Sequence, residues 1–195
     1  MPSREITAIH TREDLRLAIE LDGKAWIILD ALSAARLGLA EGYTVHPDVI
    51  AEAEHEAKRE RALLRGAKLV GRRSHARGEL EQRLARRDGD DAARDAVDRL
   101  SELGAVDDVR HAANLIEHRL AKGWGPARIE HDLSVAGLDD TLIRTTLADV
   151  DDEQIDAAAR IALGTRVDAE GWQRLAARGF DESVAERLLG LPDVD

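Results

Sequence analysis

The sequence predicts a mainly α-helical protein, three tandem three-helix repeats behind a small N-terminal β-hairpin, and three observations carry that prediction. Hydrophobic residues make up 44% of the chain, enough for a packed core, yet aromatic residues are only 3% and Phe180 is the single phenylalanine. A core of Leu, Ala, Val and Ile suits close-packed helices better than sheets. Alternation of large apolar residues occurs in one place only, whereas a Leu-x-x-x-Gly pattern followed by an apolar residue and acids recurs along the chain.

The alternation comes first. Leu15, Leu17, Ile19 and Leu21 fall on every second position, Asp22-Gly23 follows, and Lys24 to Leu29 form a second run. An Asp-Gly pair between two such runs signals a two-residue type I′ turn, because both turn residues need positive φ. That register pairs Ile19 with Trp26 and Leu17 with Ile28. Strand is expected near 15–29 and nowhere else, and a sheet of four or more strands is expected to contradict the repeat argument. A short helix over 31–39, closed by Gly38 and turned by Gly42, is expected to support the hairpin. Residues 1–55 thus read as a hairpin-and-helix extension.

Pro47 opens the next helix, at a position where its missing N–H costs nothing, and helix is expected to about Arg73. Lys58, Arg61, Arg65, Lys68 and Arg72 are spaced 3, 4, 3, 4, which confines them to an arc of roughly 80°. Leu63, Ala67 and Val70 lie opposite and are expected to face a core, leaving Arg65, Lys68 and Arg72 free for charge reversal without loss of helix. The formal net charge is −11, unevenly placed: residues 56–88 carry 11 basic and 5 acidic groups, while the flanks are acidic. Arg73, Arg77, Arg83, Arg86 and Arg87 extend the basic island, so any contact with a polyanion is expected to be local.

Beyond Arg73 the chain repeats. Residues 128–140 and 171–182 each end a helix in Leu-x-x-x-Gly, at Leu133 to Gly137 and Leu175 to Gly179. Gly137 and Gly179 are expected as left-handed residues just past each helix, with Leu138 and Phe180 folding back onto it. Asp139 and Asp181 are expected to cap the following helix. Residues 79–91 form a looser copy, with Asp88-Gly89 at the turn. Preceding helices near 57–73, 109–121 and 153–164 complete three units, bounded at 56–108, 109–151 and 152–195. Their anchors Leu84, Leu133 and Leu175 lie 49 and 42 residues apart.

These residues resemble the RecX family. Gly125-Pro126-Ala127-Arg128-Ile129-Glu130-His131-Asp132-Leu133, followed by Gly137-Leu138-Asp139, resembles the family's G-P-x-x-I-x-x-E-L-x-x-x-G-I-D. Leu100 to Asp108 resembles L-x-x-L-G-Y-L-D-D, Arg178-Gly179-Phe180 the R-G-F of a third repeat, and residues 62–80 a first-repeat pattern. The chain departs from the family at Ala105-Val106, His111 and Ala76, the last of which leaves Ser74 as the candidate cap of the following helix. The resemblance implies an elongated, curved array of repeats. It also implies a monomeric regulator that binds the RecA–single-stranded DNA filament and restrains its ATPase, strand-exchange and co-protease activities, modulating recombination and the SOS response.

The partner-binding candidates are therefore Lys58, Arg61, Arg65, Lys68, Arg72, Arg73, Arg77, Arg83, Arg86 and Arg87. Acidity elsewhere favours RecA over direct DNA contact, which is expected to be weak at most. The alternative is a DNA-binding protein with tandem helix-turn-helix-like units, which calls for basic second helices. Residues 139–147 hold only Arg144 and residues 181–189 only Arg187. No catalytic, metal or cofactor site is expected. There is no cysteine, no His-x-x-x-His pair among the seven histidines, no phosphate-cradling glycine loop and no Gly-x-Ser-x-Gly elbow. His111, His118 and His131 lack convergent ligands, Asp107-Asp108 and Asp149 to Glu153 read as helix starts, and Trp124 and Trp172 as packing residues. With no signal segment and no membrane-length apolar run, a cytoplasmic protein is expected.

Overall fold

The computed structural model describes residues 4–165 and 169–190. Strands β1 (Arg4–Thr11), β2 (Leu17–Leu21) and β3 (Lys24–Leu29) are followed by α1 (Ala31–Arg36) and β4 (Thr44–Val45). Helices α2 (Pro47–Val70), α3 (Arg77–Asp88), α4 (Asp90–Glu102), α5 (Asp108–Leu120), α6 (Pro126–Val135), α7 (Asp140–Ala148), α8 (Asp152–Leu163), α9 (Ala169–Ala177) and α10 (Glu182–Leu189) complete it. The mainly helical fold with a small N-terminal sheet is as the sequence predicts. The chain divides into two compact units, residues 1–73 with 80–105 and residues 74–79 with 106–195.

In the first unit the Asp22-Gly23 turn forms with both φ angles positive, 52° and 73°, as expected for type I′. The expected register does not hold beyond it. Leu21 pairs with Lys24 and Glu20 with Ala25, but Ile19 then pairs with Ile27 and Leu17 with Leu29. A bulge at Trp26 shifts the strand by one residue, bringing Leu29 into the core fully buried, while the Trp26 indole N–H donates to Glu54 on α2 at 3.0 Å.

Strand is also more extensive than expected. The sheet has four strands in the order β3-β2-β1-β4, so β1 and β4 correct the two-stranded hairpin. Both lie before α2 and leave the helical triplets intact. Strand β1 buries one residue completely, Ile6, and is tied to the hairpin turn through Arg4 to Asp22 at 2.7 Å and the Gly23 N–H to Thr7 at 2.9 Å. Arg16 donates to the Ile28 carbonyl at 3.0 Å and to Glu60, whose carboxylate accepts the Asp30 N–H. Burial, then the neighbouring Asp30, pushes the Glu60 carboxyl above its ordinary range.

The second unit follows the glycine-turn argument closely. Past α6, Gly137 (φ 81°) donates to the Ser134 carbonyl and Leu138 to that of Leu133; past α9, Gly179 (φ 82°) donates to Ala176 and Phe180 to Leu175. Both are Schellman turns, and both fold-back residues, Leu138 and Phe180, are buried. Asp139 accepts from Thr141 and Leu142, and Asp181 from Val184, as the expected caps. At the start of α3, Asp108 accepts the Arg77 N–H at 2.7 Å, and the hydroxyl of Ser74 lies 3.0 Å from Nδ1 of His111.

These turns also join one triplet to the next. A Cβ on Gly125, at the start of α6, would lie 2.5 Å from the Phe180 nitrogen; one on Gly78, in α3, would lie 2.9 Å from the Gly137 carbonyl oxygen. The first joint is hydrogen-bonded: the Gly125 N–H donates to the Arg178 carbonyl at 2.8 Å and the Ala127 N–H to that of Gly179 at 3.1 Å. Each turn is therefore a seat for the middle helix of the preceding triplet.

The Ser183 hydroxyl, then the Val184 N–H, hold the Asp181 carboxyl below its ordinary 3.8. A depressed carboxyl stabilises the fold fully above its ordinary value, and that contribution is lost as pH falls from there through the lowered folded-state value. Asp181→Ala should cost about 1 kcal/mol at pH 7. Thermal unfolding at pH 7 and at pH 2.5 checks this prediction: the deficit should shrink in acid, and a deficit independent of pH would remove the charged cap from the account.

Candidate partner-binding surface

The basic island is carried by α2 and α3. His46 caps α2 by accepting the Asp48 N–H, and Pro47 occupies its first turn. The helix buries Ala53 and Ala57 in the N-terminal core; further along it buries Ala62 and Gly66. A Cβ on Gly66 would meet Leu100 of α4 at 2.7 Å and Leu84 of α3 at 3.3 Å. The expected inward face is thus one residue out of register. Leu63 and Val70 are half-buried and Ala67 is exposed. Helices approach most closely over the smallest side chains, so the contact line follows Ala62 and Gly66 rather than the larger apolar residues.

That shift changes the cationic stripe. Arg61 and Arg65 stand directly before the two buried positions and turn onto Asp88, the last residue of α3, whose side chain is wholly buried. Nε of Arg61 donates to one Asp88 oxygen at 3.1 Å, and Arg65 donates to the other. The expectation that Arg65 tolerates charge reversal is therefore corrected: its guanidinium compensates a buried carboxylate. Asp88 occupies the turn position where the later copies have glycine and an apolar residue, and Gly89 (φ 87°) begins α4.

The remaining candidates divide cleanly. Lys58, Lys68 and Arg72 on or just past α2, and Arg83, Arg86 and Arg87 on α3, are exposed and have no ion-pair partner among the described residues. Arg83, Arg86 and Arg87 are spaced to share a helix face, as are Lys68 and Arg72. Arg73 is exposed and Arg77 half-buried at the start of α3. Among the described residues no three His, Asp or Glu side chains gather as a metal site would require, and no helix is long and apolar enough to cross a membrane.

The model of the RecX second three-helix domain matches residues 107–147, which take in α5, α6 and all but the last residue of α7. A regulatory protein RecX of Xanthomonas oryzae pv. oryzae (strain MAFF 311018) is 36% identical over 136 residues, covering 64% of this chain and 84% of that protein. The chain belongs to the RecX family. A second member, the regulatory protein RecX of Pseudomonas entomophila (strain L48), is 33% identical over 146 residues, covering 65% of this chain and 88% of the relative. Among solved structures, a regulatory protein RecX superposes with a TM-score of 0.75 at 18% identity, over 95% of this chain and 98% of that one. RecX from Lactobacillus salivarius gives 0.60 at 17% identity, over 68% and 94%. These two share the fold.

Trp124, in the family's glycine-proline junction, acts as a packing residue. Its ring lies beneath the guanidinium groups of Arg178 (4.5 Å) and Arg128 (5.4 Å), and Arg178 also donates to the Lys122 carbonyl at 2.9 Å. These arginines hold a joint, and neither belongs to the basic island.

Proposed function

We propose that this chain binds the RecA–single-stranded DNA filament and restrains its recombinase, ATPase and co-protease activities, acting as a regulator and not as a catalyst. Membership of the RecX family supports the regulatory role. The observation that carries the contact is the set of six exposed cations, Lys58, Lys68, Arg72, Arg83, Arg86 and Arg87, that have no acidic partner among the described residues of an otherwise acidic chain. A filament offers phosphates and carboxylates, and unpaired cations gain from both. In this reading the triplets act as repeats with bounds near 56–108, 109–151 and 152–195. The helix-turn-helix alternative finds less support: Arg144 reaches back to Thr141 and the Asp140 carbonyl, and Arg187 is paired with Asp156 at 2.8 Å.

The test is RecA ATPase on single-stranded DNA, titrated with this protein at about 50 and 200 mM salt, where screening and counterion release separate charge-driven from apolar contacts. Inhibition that weakens at the higher salt is expected. Unchanged ATPase at both salts contradicts the proposal.

A further inference from the structure

A second cationic feature lies in the N-terminal unit, where the sequence is acidic overall. A groove of about 530 Å³ opens between the sheet and α2. Its apolar lining is offered by the half-buried Trp26, Ile27 and Ile28, over the buried Ile19 and Ala57. Basic side chains from two elements and a connection converge on it: His10 from β1, Arg12 and Arg16 from the β1–β2 connection, and Lys58 and Arg61 from α2. Two acids, Glu20 and Glu54, face them, and Glu54 is engaged by the Trp26 indole. Arg16 and Arg61 serve Glu60 and Asp88, which leaves His10, Arg12 and Lys58 at the rim. Among the described residues the acids nearest His10 and Arg12 are Glu20, 3.8 Å from His10, and Asp14, 3.4 Å from Arg12.

The same end of the sheet exposes apolar surface. Leu15 is 79% exposed in the β1–β2 turn with a φ of 61°, a left-handed conformation that a leucine adopts at a cost, and Leu32 at the start of α1 is 80% exposed. Leu17 is paired with Leu29, which places Leu15 and Leu32 at this end. Neither Leu15 nor Leu32 contributes to the core.

We propose that this groove docks an extended segment of a protein partner in which aliphatic side chains alternate with carboxylates. The aliphatic groups pack on the Ile and Trp lining, and the carboxylates meet Arg12, Lys58 and His10. Charge complementarity selects this occupant. A nucleic acid strand would place phosphates against Glu20 and Glu54 and would have one aromatic ring, already held by Glu54, on which to stack. The groove shares Lys58 with the six exposed cations but none of the other five, and its test uses no filament, so its failure is distinguishable from failure of the reading above.

The probe is the peptide acetyl-Glu-Ile-Asp-Leu-Glu-Val-Asp-amide, added to the full ¹⁵N-labelled chain, with the Trp26 indole cross-peak identified through Trp26→Phe. Saturable movement of that cross-peak is expected, and the Gln/Asn twin of the peptide should bind at least about tenfold more weakly, as should the Arg12→Glu, Lys58→Glu variant. The twin makes the charge test independent of any effect of the substitutions on folding. Equal binding of the twin, or no movement of the cross-peak, overturns the proposal. Displacement of the peptide by oligothymidylate, with oligothymidylate the tighter ligand, would reassign the groove to nucleic acid and equally overturn it.

Discussion

Gly179→Ala should be among the most damaging single-methyl changes in this chain, lowering the stability of the second unit by about 2–5 kcal/mol. Two costs add at this position. Its φ of 82° penalises any side chain, and the added Cβ would lie 2.5 Å from the Arg128 backbone nitrogen, where neither helix can yield without breaking the joint. Gly125→Ala isolates the second cost: no positive φ is involved, but the same joint meets the new carbon from the other side. Gly164→Ala isolates the first, since its φ is 62° and nothing lies within 4 Å of the added atom. Thermal unfolding of the three variants should rank Gly179 worst, Gly125 next and Gly164 mildest. A Gly125→Ala variant as stable as the parent would show that the triplets are not seated on their turns.

Arg65→Glu carries the other large effect, about 3 kcal/mol, because it strips a cation from the wholly buried Asp88 carboxylate and sets a second carboxylate against it. Asp88→Ala should cost less, since it removes the buried charge itself and leaves Arg61 and Arg65 open to solvent. The expected contrast is with Lys68→Glu and Arg72→Glu, which touch no acid and should change stability by less than about 0.5 kcal/mol. Denaturant unfolding of the four variants decides the point. Equal stability of Arg65→Glu and Lys68→Glu would return Arg65 to the solvent-facing stripe.

The legible parts of this fold are those in which a few neighbouring residues suffice. A Leu-x-x-x-Gly turn closes on itself through Leu133 and Leu138, or Leu175 and Phe180, and an aspartate caps the helix that begins beside it. The Asp22-Gly23 turn is equally local. What escaped the sequence depends on distant partners. Strand β1 buries only Ile6 completely, so it shows no alternation, and β4 is two residues long. The Trp26 bulge follows from the demands of Leu29 in the core and of Glu54 on α2.

The candidate surface was half legible. The excess of cations in residues 56–88 is a property of the sequence, but which of them are spent on the fold is not. Gly66 and Ala62 offered one signal, since small residues four apart on a helix mark a close approach. Asp88 offered another, an acid at a turn position whose counterparts are glycine and an apolar residue. His10, Arg12 and Arg16 join Lys58 only because the β1–β2 end of the sheet and α2 border one groove, and no spacing in the sequence announces that.

The central claim, that cations left unpaired by the fold hold the RecA filament, is tested most directly by binding. Fluorescently labelled protein is titrated with preformed RecA–single-stranded DNA filament, beside a variant carrying Lys68→Glu, Arg72→Glu, Arg83→Glu and Arg86→Glu. These positions avoid Asp88, so the variant should unfold at nearly the parental temperature. The account predicts that the parent binds and that the variant binds at least about tenfold more weakly at low salt, with the difference narrowing as salt rises. A stable variant that binds the filament as tightly as the parent would contradict it.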